Sequence, residues 1–150
     1  MRKRSQARDW ALKILYQAEI TRRPIEQTAE EFWAYEEAQD DEVKDFCKRL
    51  ILGVYEHLNA IDQKISDYAT NWQIKRMAVI DRNVLRLGVY ELLHTTDIPP
   101  KVTINEAVEI AKRYGDLESS KFVNGILDKI HKTEVTPQSD KKEEVHDSDQ

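Results

Sequence analysis

Between residues 43 and 68 the side chains Val43, Phe46, Cys47, Leu50, Ile51, Val54, Leu58, Ile61, Ile65 and Tyr68 recur at steps of three and four. That spacing holds one helical stripe for about seven turns, and no alternation of period two persists long enough to compete with it. The same period returns at Trp10, Ala11, Ile14, Leu15 and Ala18, at Ile80, Val84, Leu87 and Leu92, and at Phe122, Val123, Ile126, Leu127 and Ile130. An all-α chain is predicted, with helices over residues 5–20, 25 to about 38, and 43–68 with a break near Asn59. A further helix runs through Ile80 to Leu92 and must end before Pro99 and Pro100, because a proline disfavours helical geometry in the residue before it. The remaining helices are expected over residues 104–114 and about 118–131.

Thr103 and Glu106 have the spacing of a capping box for the helix over 104–114, and Gly115 suits a left-handed position at its end. Gly53, Gly88 and Gly125, inside helices, read as places of close helix packing, and Asn105 and Asn124 as partners of buried backbone groups. The 150 residues, 40% of them hydrophobic, suffice for one core. The architecture is therefore a single bundle of about seven helices. After Lys132 the aliphatic residues almost vanish: residues 133–150 contain Pro137 and set six acids against Lys141 and Lys142. Such a segment buries too little to offset an ordering cost of about 1–2 kcal/mol per residue. The domain is expected to span residues 1–132, followed by a disordered acidic tail over 133–150.

The net charge of −5 disguises an uneven distribution, because residues 1–23 hold seven Lys or Arg against Asp9 and Glu19. One end can meet phosphate while the rest stays acidic. Catalytic chemistry finds no footing. Gly53, Gly88, Gly115 and Gly125 are too dispersed for a phosphate-cradling loop, and His57, His94, His131 and His146 lack metal-ligand spacing. Cys47 lies on an apolar stripe and reads as a buried small hydrophobe. A non-enzymatic protein without cofactor or metal is expected. A lone cysteine and the lack of any run approaching about 20 apolar residues point to a cytoplasmic location without membrane contact.

The string Asp81-Arg82-Asn83-Val84-Leu85-Arg86-Leu87-Gly88-Val89-Tyr90-Glu91-Leu92-Leu93, followed by Ile98-Pro99-Pro100-Lys101-Val102-Thr103-Ile104-Asn105-Glu106-Ala107, closely resembles the central block of the NusB family. The likeness continues through Ala111-Lys112-Arg113-Tyr114-Gly115 and Ser119-Ser120-Lys121-Phe122-Val123-Asn124-Gly125-Ile126-Leu127-Asp128-Lys129. At the front, Arg4, Arg8, Ala11, Leu12, Leu15, Tyr16 and Glu19 match an arginine-rich start and its Ala-Leu and Leu-Tyr pattern. The resemblance implies a transcription antitermination factor of seven helices that binds single-stranded boxA RNA in ribosomal RNA leader transcripts. It also implies pairing with NusE, a small-subunit ribosomal protein, and assembly with other Nus factors on RNA polymerase.

Arg2, Lys3, Arg4 and Arg8 lie at or before the first turns of helix one, where the positive end of the helix dipole adds to their charge. On the residues alone this arm is either a solubilising terminus or a phosphate site, and the resemblance favours RNA. Tyr16, about two turns beyond Arg8, is by itself a half-buried packing residue; the resemblance makes it a candidate for the RNA-binding surface. Lys121 enters as an RNA contact on the resemblance, and Asp81, Glu118 and Phe122 as contacts to NusE. Asp81 and Glu118 also fit helix-end roles, and Phe122 fits either the core or an interface.

Overall fold

A computed structural model describes residues 2–36, 40–69 and 73–135. Seven α-helices run through the described residues: α1 (Lys3–Thr21), α2 (Ile25–Tyr35), α3 (Asp41–Glu56), α4 (Leu58–Tyr68), α5 (Val79–His94), α6 (Pro100–Tyr114) and α7 (Leu117–Ile130). A 3-10 turn, Ile74–Arg76, precedes α5, and a π-helical turn, His131–Val135, prolongs α7. The all-α bundle expected from the periodicity is the one observed.

Helix α5 is the axis of the bundle, in contact with α1, α3, α4, α6 and α7. Its buried residues include Val84, Leu85, Leu87, Val89, Tyr90 and Leu92, which occupy most of its circumference. A helix apolar nearly all round has to be surrounded by others. Two glycines allow the closest approaches. A Cβ on Gly53 of α3 would stand 2.2 Å from the Tyr90 ring, and one on Gly88 would stand 2.7 Å from Leu127 of α7. Gly125 is different: nothing lies within 4 Å of such a Cβ, so close packing does not explain it.

The helix ends revise several expectations. The break between α3 and α4 falls at His57. Helix α2 ends at Tyr35, and the end expected near Ala38 lies outside the described residues. Helix α6 starts at Pro100, a residue well suited to a first turn because its missing N–H would have no partner there. Thr103 is therefore inside the helix and forms no capping box. Its hydroxyl instead donates to Glu91 Oε1 at 2.8 Å, while Glu106 accepts from Ser5 and Arg8. Gly115 has φ −107°, outside the left-handed region. What it supplies is room, since a Cβ there would meet Ser119 Oγ at 2.7 Å and the Ala111 carbonyl oxygen at 2.8 Å. Asn105 and Asn124 are exposed and serve no buried backbone group.

Polar clusters fasten α1 to the axis at two levels. Arg8, only 3% exposed, donates to both carboxylate oxygens of Glu91, from Nε at 2.8 Å and Nη2 at 2.9 Å. Its Nη1 reaches Glu106 on α6 at 3.2 Å, so one guanidinium joins three helices. Further along α1, Glu19 accepts from Arg82 and Arg86 of α5, and Arg86 also donates to Asp62 of α4. Burial pushes the Glu19 carboxyl up, yet the Arg82 and Arg86 guanidiniums prevail and hold it below its ordinary value.

The boundary of the domain also moves. Thr133, Glu134 and Val135, assigned to the tail by composition, continue the helical chain; Val135 is buried, and Glu134 accepts from Tyr68 Oη at 2.6 Å and Lys64 Nζ at 2.8 Å. The rest of the expected tail, residues 136–150, lies outside the described residues.

Two predictions follow from these contacts. Arg8→Ala leaves Glu91 buried without its counter-charge and is expected to cost about 3–5 kcal/mol, read as a lower urea midpoint at unchanged slope. Removing residues 136–150 is expected to leave the melting temperature in place, whereas removing residues 133–150 also deletes Val135, with about 1.5–3 kcal/mol of apolar burial. The bonds from Lys64 and then Tyr68 hold the Glu134 carboxyl below its ordinary value of 4.5. Its share of the difference between the two truncations is thus present above pH 4.5 and disappears as pH falls through the lowered value. Melts of the two truncations across pH check both statements.

Candidate nucleic-acid and partner interface

At the N-terminus of α1, Arg2 caps the helix from an extended conformation and is exposed, while Lys3 and Arg4 occupy its first turn without any acidic neighbour in that turn. Cations there oppose the helix dipole. Carboxylates from other elements compensate. Lys3 Nζ lies 3.2 Å from Asp40 and 3.3 Å from Glu42, both at the N-terminus of α3. These two acids raise the Lys3 pKa, Asp40 having the larger effect. Asp40 also caps α3, accepting from the Glu42 and Val43 amides.

Arg4 lays its guanidinium over the Phe46 ring, 4.4 Å from the centroid, and stands 3.7 Å from Asp97 in the loop between α5 and α6. It donates no hydrogen bond to any described residue at bonding distance, and its side chain is 53% exposed. Arg8 does not belong to this surface. The expectation that it contacts RNA is corrected in geometric terms: the chain turns its guanidinium inward, and Glu91 and Glu106 occupy it.

Tyr16 lies about 18 Å beyond Arg4 along α1 at 1.5 Å per residue. The structure groups it with apolar residues rather than with the arm: Leu12, Tyr16, Ile20, Phe32, Ile80 and Tyr114 line an open groove of about 460 Å³. Tyr16, Ile20 and Tyr114 are each more than a third exposed in it. Tyr114 is fixed by donating to Asp9 Oδ1 at 2.6 Å, an oxygen that also accepts from Arg113 at 2.9 Å.

Asp81 follows Ile80, a residue of that groove, in the first turn of α5. Its Oδ1 is buried without a hydrogen-bond partner among the described residues. Burial pushes its carboxyl above the ordinary value of 3.8, the Ser119 hydroxyl opposes this, and the charge of Asp116 adds to it. Asp81 therefore lies beside the N-terminus of α7. The cap of α7 is Asp116, which accepts from the Ser119 amide at 2.8 Å, so Glu118 has no capping duty. Glu118 is exposed and pairs only loosely, at 3.8 Å, with Lys121, itself exposed. Phe122 is half-buried and packs against the edge of the core. Lys121 thus stands with the acidic end of α7 and not with the arm.

Cys47 is fully buried and its thiol is pushed up to about 12 by burial, consistent with a packing role. His57 and His94 stack at 3.9 Å between ring centroids, beside Tyr90. No group of three or more His, Cys, Asp or Glu among the described residues could hold a metal ion. No helix among them is long and apolar enough to cross a membrane.

Sequence reasoning overlooked Arg49, Asp97, Asp116 and the groove. The groove carried a signal in Tyr16, Ile20 and Tyr114, large side chains displaced from the main stripes. Arg49 and Asp97 carried none, because their meeting depends on how α3 packs against the loop after α5.

A helical bundle with a cationic arm at one end of α1 and an open apolar groove along its other half defines a small two-surface binding module. A profile of the NusB family matches residues 5–132, and the chain belongs to the NusB family. It is 46% identical over 143 residues to the transcription antitermination protein NusB of Thermodesulfovibrio yellowstonii, covering 89% of this chain and 94% of that one. To the protein of the same name from Anaeromyxobacter dehalogenans it is 47% identical over 128 residues, covering 85% and 89%. Among solved structures, T. maritima NusB superposes with a TM-score of 0.84 at 44% identity, over 94% of this chain and 98% of that one. A chain in a crystal structure of the antitermination factors NusB and NusE with double-stranded RNA superposes with a TM-score of 0.81 at 30% identity, over 88% and 98%.

A carboxyl whose pKa is raised on folding loses stability as pH rises through its ordinary value of 3.8 toward the raised one. Asp81→Asn removes that loss, so the variant is expected to gain on the parent as pH rises above about 4. Thermal melts from acid to neutral pH check it.

Proposed function

We propose that the chain is a non-catalytic, cytoplasmic antitermination factor that binds boxA-type single-stranded RNA of ribosomal RNA leader transcripts together with NusE. Through that complex it helps assemble other Nus factors on RNA polymerase. The observation that carries the RNA half is Arg4: an exposed guanidinium, held on an aromatic ring at the positive end of a helix, with its planar fork turned to no acceptor within bonding distance. Such a fork suits a phosphate or a base edge, and the ring pre-orders it. Arg2 and Lys3 supply further positive charge, although RNA has to compete with Asp40 and Glu42 for Lys3. Arg8 acts from inside, as the anchor of α1.

The NusE half rests on the groove and on two acids of α5 and α7, Asp81 and Glu118. An apolar trough lined by aromatic rings suits an inserted side chain, while Asp81 and Glu118 favour a partner segment carrying Lys or Arg. Asp81 Oδ1 is buried without a partner among the described residues, and a basic group from NusE would satisfy it. Tyr16 belongs to this surface in our reading, with Phe122 at its edge and Lys121 beyond Glu118.

The test is a titration of boxA-like and scrambled single-stranded RNA, each with and without NusE, across a range of salt. Arg4→Ala is expected to weaken RNA binding and to reduce the log-log salt slope by roughly 0.7, the release from one phosphate on a single strand. Asp81→Asn is expected to spare RNA binding by the chain alone and to weaken NusE pairing. Equal affinity of the parent and Arg4→Ala for RNA, at equal slope, removes the arm from the RNA site.

A further inference from the structure

Arg49 stands on α3, and its guanidinium grips Asp97 with both branches, Nη1 to Oδ2 at 3.0 Å and Nη2 to Oδ1 at 2.5 Å. Arg4 approaches the same Asp97 Oδ2 from α1. Both guanidiniums also face one ring, at 4.4 Å for Arg4 and 5.7 Å for Arg49 from the Phe46 centroid. Two cations from different helices thus converge on a single oxyanion that sits, partly exposed, between them. As placed, Asp97 bonds only one of them: Arg49 takes the bidentate bond and Arg4 is left at 3.7 Å, beyond hydrogen-bond reach.

We infer that Arg4 and Arg49 together clasp one phosphodiester of single-stranded RNA, in the position that the Asp97 carboxylate takes in the RNA-free protein. The inference rests on the RNA reading above and extends it from α1 onto α3. A phosphodiester between the two forks offers a non-bridging oxygen to each guanidinium, so both gain a charge-assisted bond, whereas Asp97 as it is placed bonds Arg49 alone. Releasing Asp97 costs little, because the pair is open to solvent, with side-chain exposures of 37% and 48%, and exposed ion pairs contribute little. The Tyr90 ring, seated over Gly53 of α3, is a neighbour of Arg49. Asp97 then acts as an internal competitor that lowers RNA affinity without touching RNA.

Removing Arg49 alone would expose the Asp97 charge to RNA and mimic the loss of a contact, so the experiment is done in the Asp97→Asn background. Full-length chain is titrated with fluorescent boxA-like single-stranded RNA at several salt concentrations. Asp97→Asn is expected to bind more tightly than the parent. Adding Arg49→Gln to it is expected to weaken binding severalfold and to lower the salt slope by roughly 0.7. Arg49→Lys in the same background should retain the slope, because the charge survives the loss of the fork. If the Asp97→Asn/Arg49→Gln double variant keeps the slope of Asp97→Asn, Arg49 touches no phosphate and the inference is overturned. Arg4→Ala, measured in parallel, separates the two failures: a slope lost there but not at Arg49 sinks only this inference. A slope lost at neither sinks the RNA reading as well.

Discussion

The buried contact between Arg8 and Glu91 sets the rotation of α1, and both candidate surfaces depend on that rotation. Arg8 is locked by two hydrogen bonds to α5 and one to α6, so α1 cannot turn about its own axis without stranding a charge in the interior. One turn before Arg8, Arg4 is thereby aimed at Phe46 and Asp97, while Lys3 faces the cap of α3. About two turns after it, Tyr16 is aimed into the groove beside Ile80. Replacing such a pair with apolar side chains often leaves stability unharmed, so its value here lies in orientation as much as in energy. Thr103 and Ser5 complete the cluster by donating to Glu91 and Glu106, which leaves the carboxylates well supplied with donors.

Charge at the arm is less positive than its sequence suggests. Asp40 and Glu42 face Lys3, Asp97 faces Arg4 and Arg49, and Glu91 and Glu106 enclose Arg8. A chain with a sequence pI near 5.4 therefore has no broad basic field to attract nucleic acid from a distance. On the function proposed above, recognition rests on short-range replacement of exposed carboxylates by phosphate, a process that favours a ligand able to satisfy several guanidiniums at once. Weak, exposed intramolecular ion pairs are well suited to that exchange, whereas the enclosed Arg8 pair is not.

The periodicity that made the helices legible also contained information about Arg8 that its charge obscured. Arg8 precedes Ala11 and Leu15 by three and seven residues, squarely on the buried stripe of α1, and Glu91 follows Leu87 and Val84 by four and seven on that of α5. A charge on an apolar stripe is a candidate for a buried pair, and two such charges of opposite sign are candidates for each other. Thr103 was open to the same reading, since it stands four and seven residues before Ala107 and Ile110. Its spacing from Glu106 also satisfied a capping pattern, but Pro100 starts the helix a turn earlier. Val135 was hidden for another reason: one aliphatic residue among charged neighbours has no period, and its burial depends on Glu134 meeting Tyr68 and Lys64. Asp97 and Arg49 are legible only in three dimensions.

The separation of the two surfaces along α1 has a mechanical consequence. Near the groove, Glu19 joins α1 to α5 through Arg82 and Arg86, and near the arm Arg8 joins it to α5 and α6. Helix α1 is therefore a strut fixed at two levels, with about four turns between the first arm residue and Tyr16. A rigid strut transmits little motion, so a partner in the groove gains little by reshaping the arm some 18 Å away. On the function proposed above, cooperation between a partner in the groove and RNA at the arm rests on both belonging to one assembly. Linked sites of this kind raise the overall affinity through effective concentration, with no conformational change in the bundle. The Arg8 and Glu19 clusters hold the two surfaces at a fixed spacing along α1.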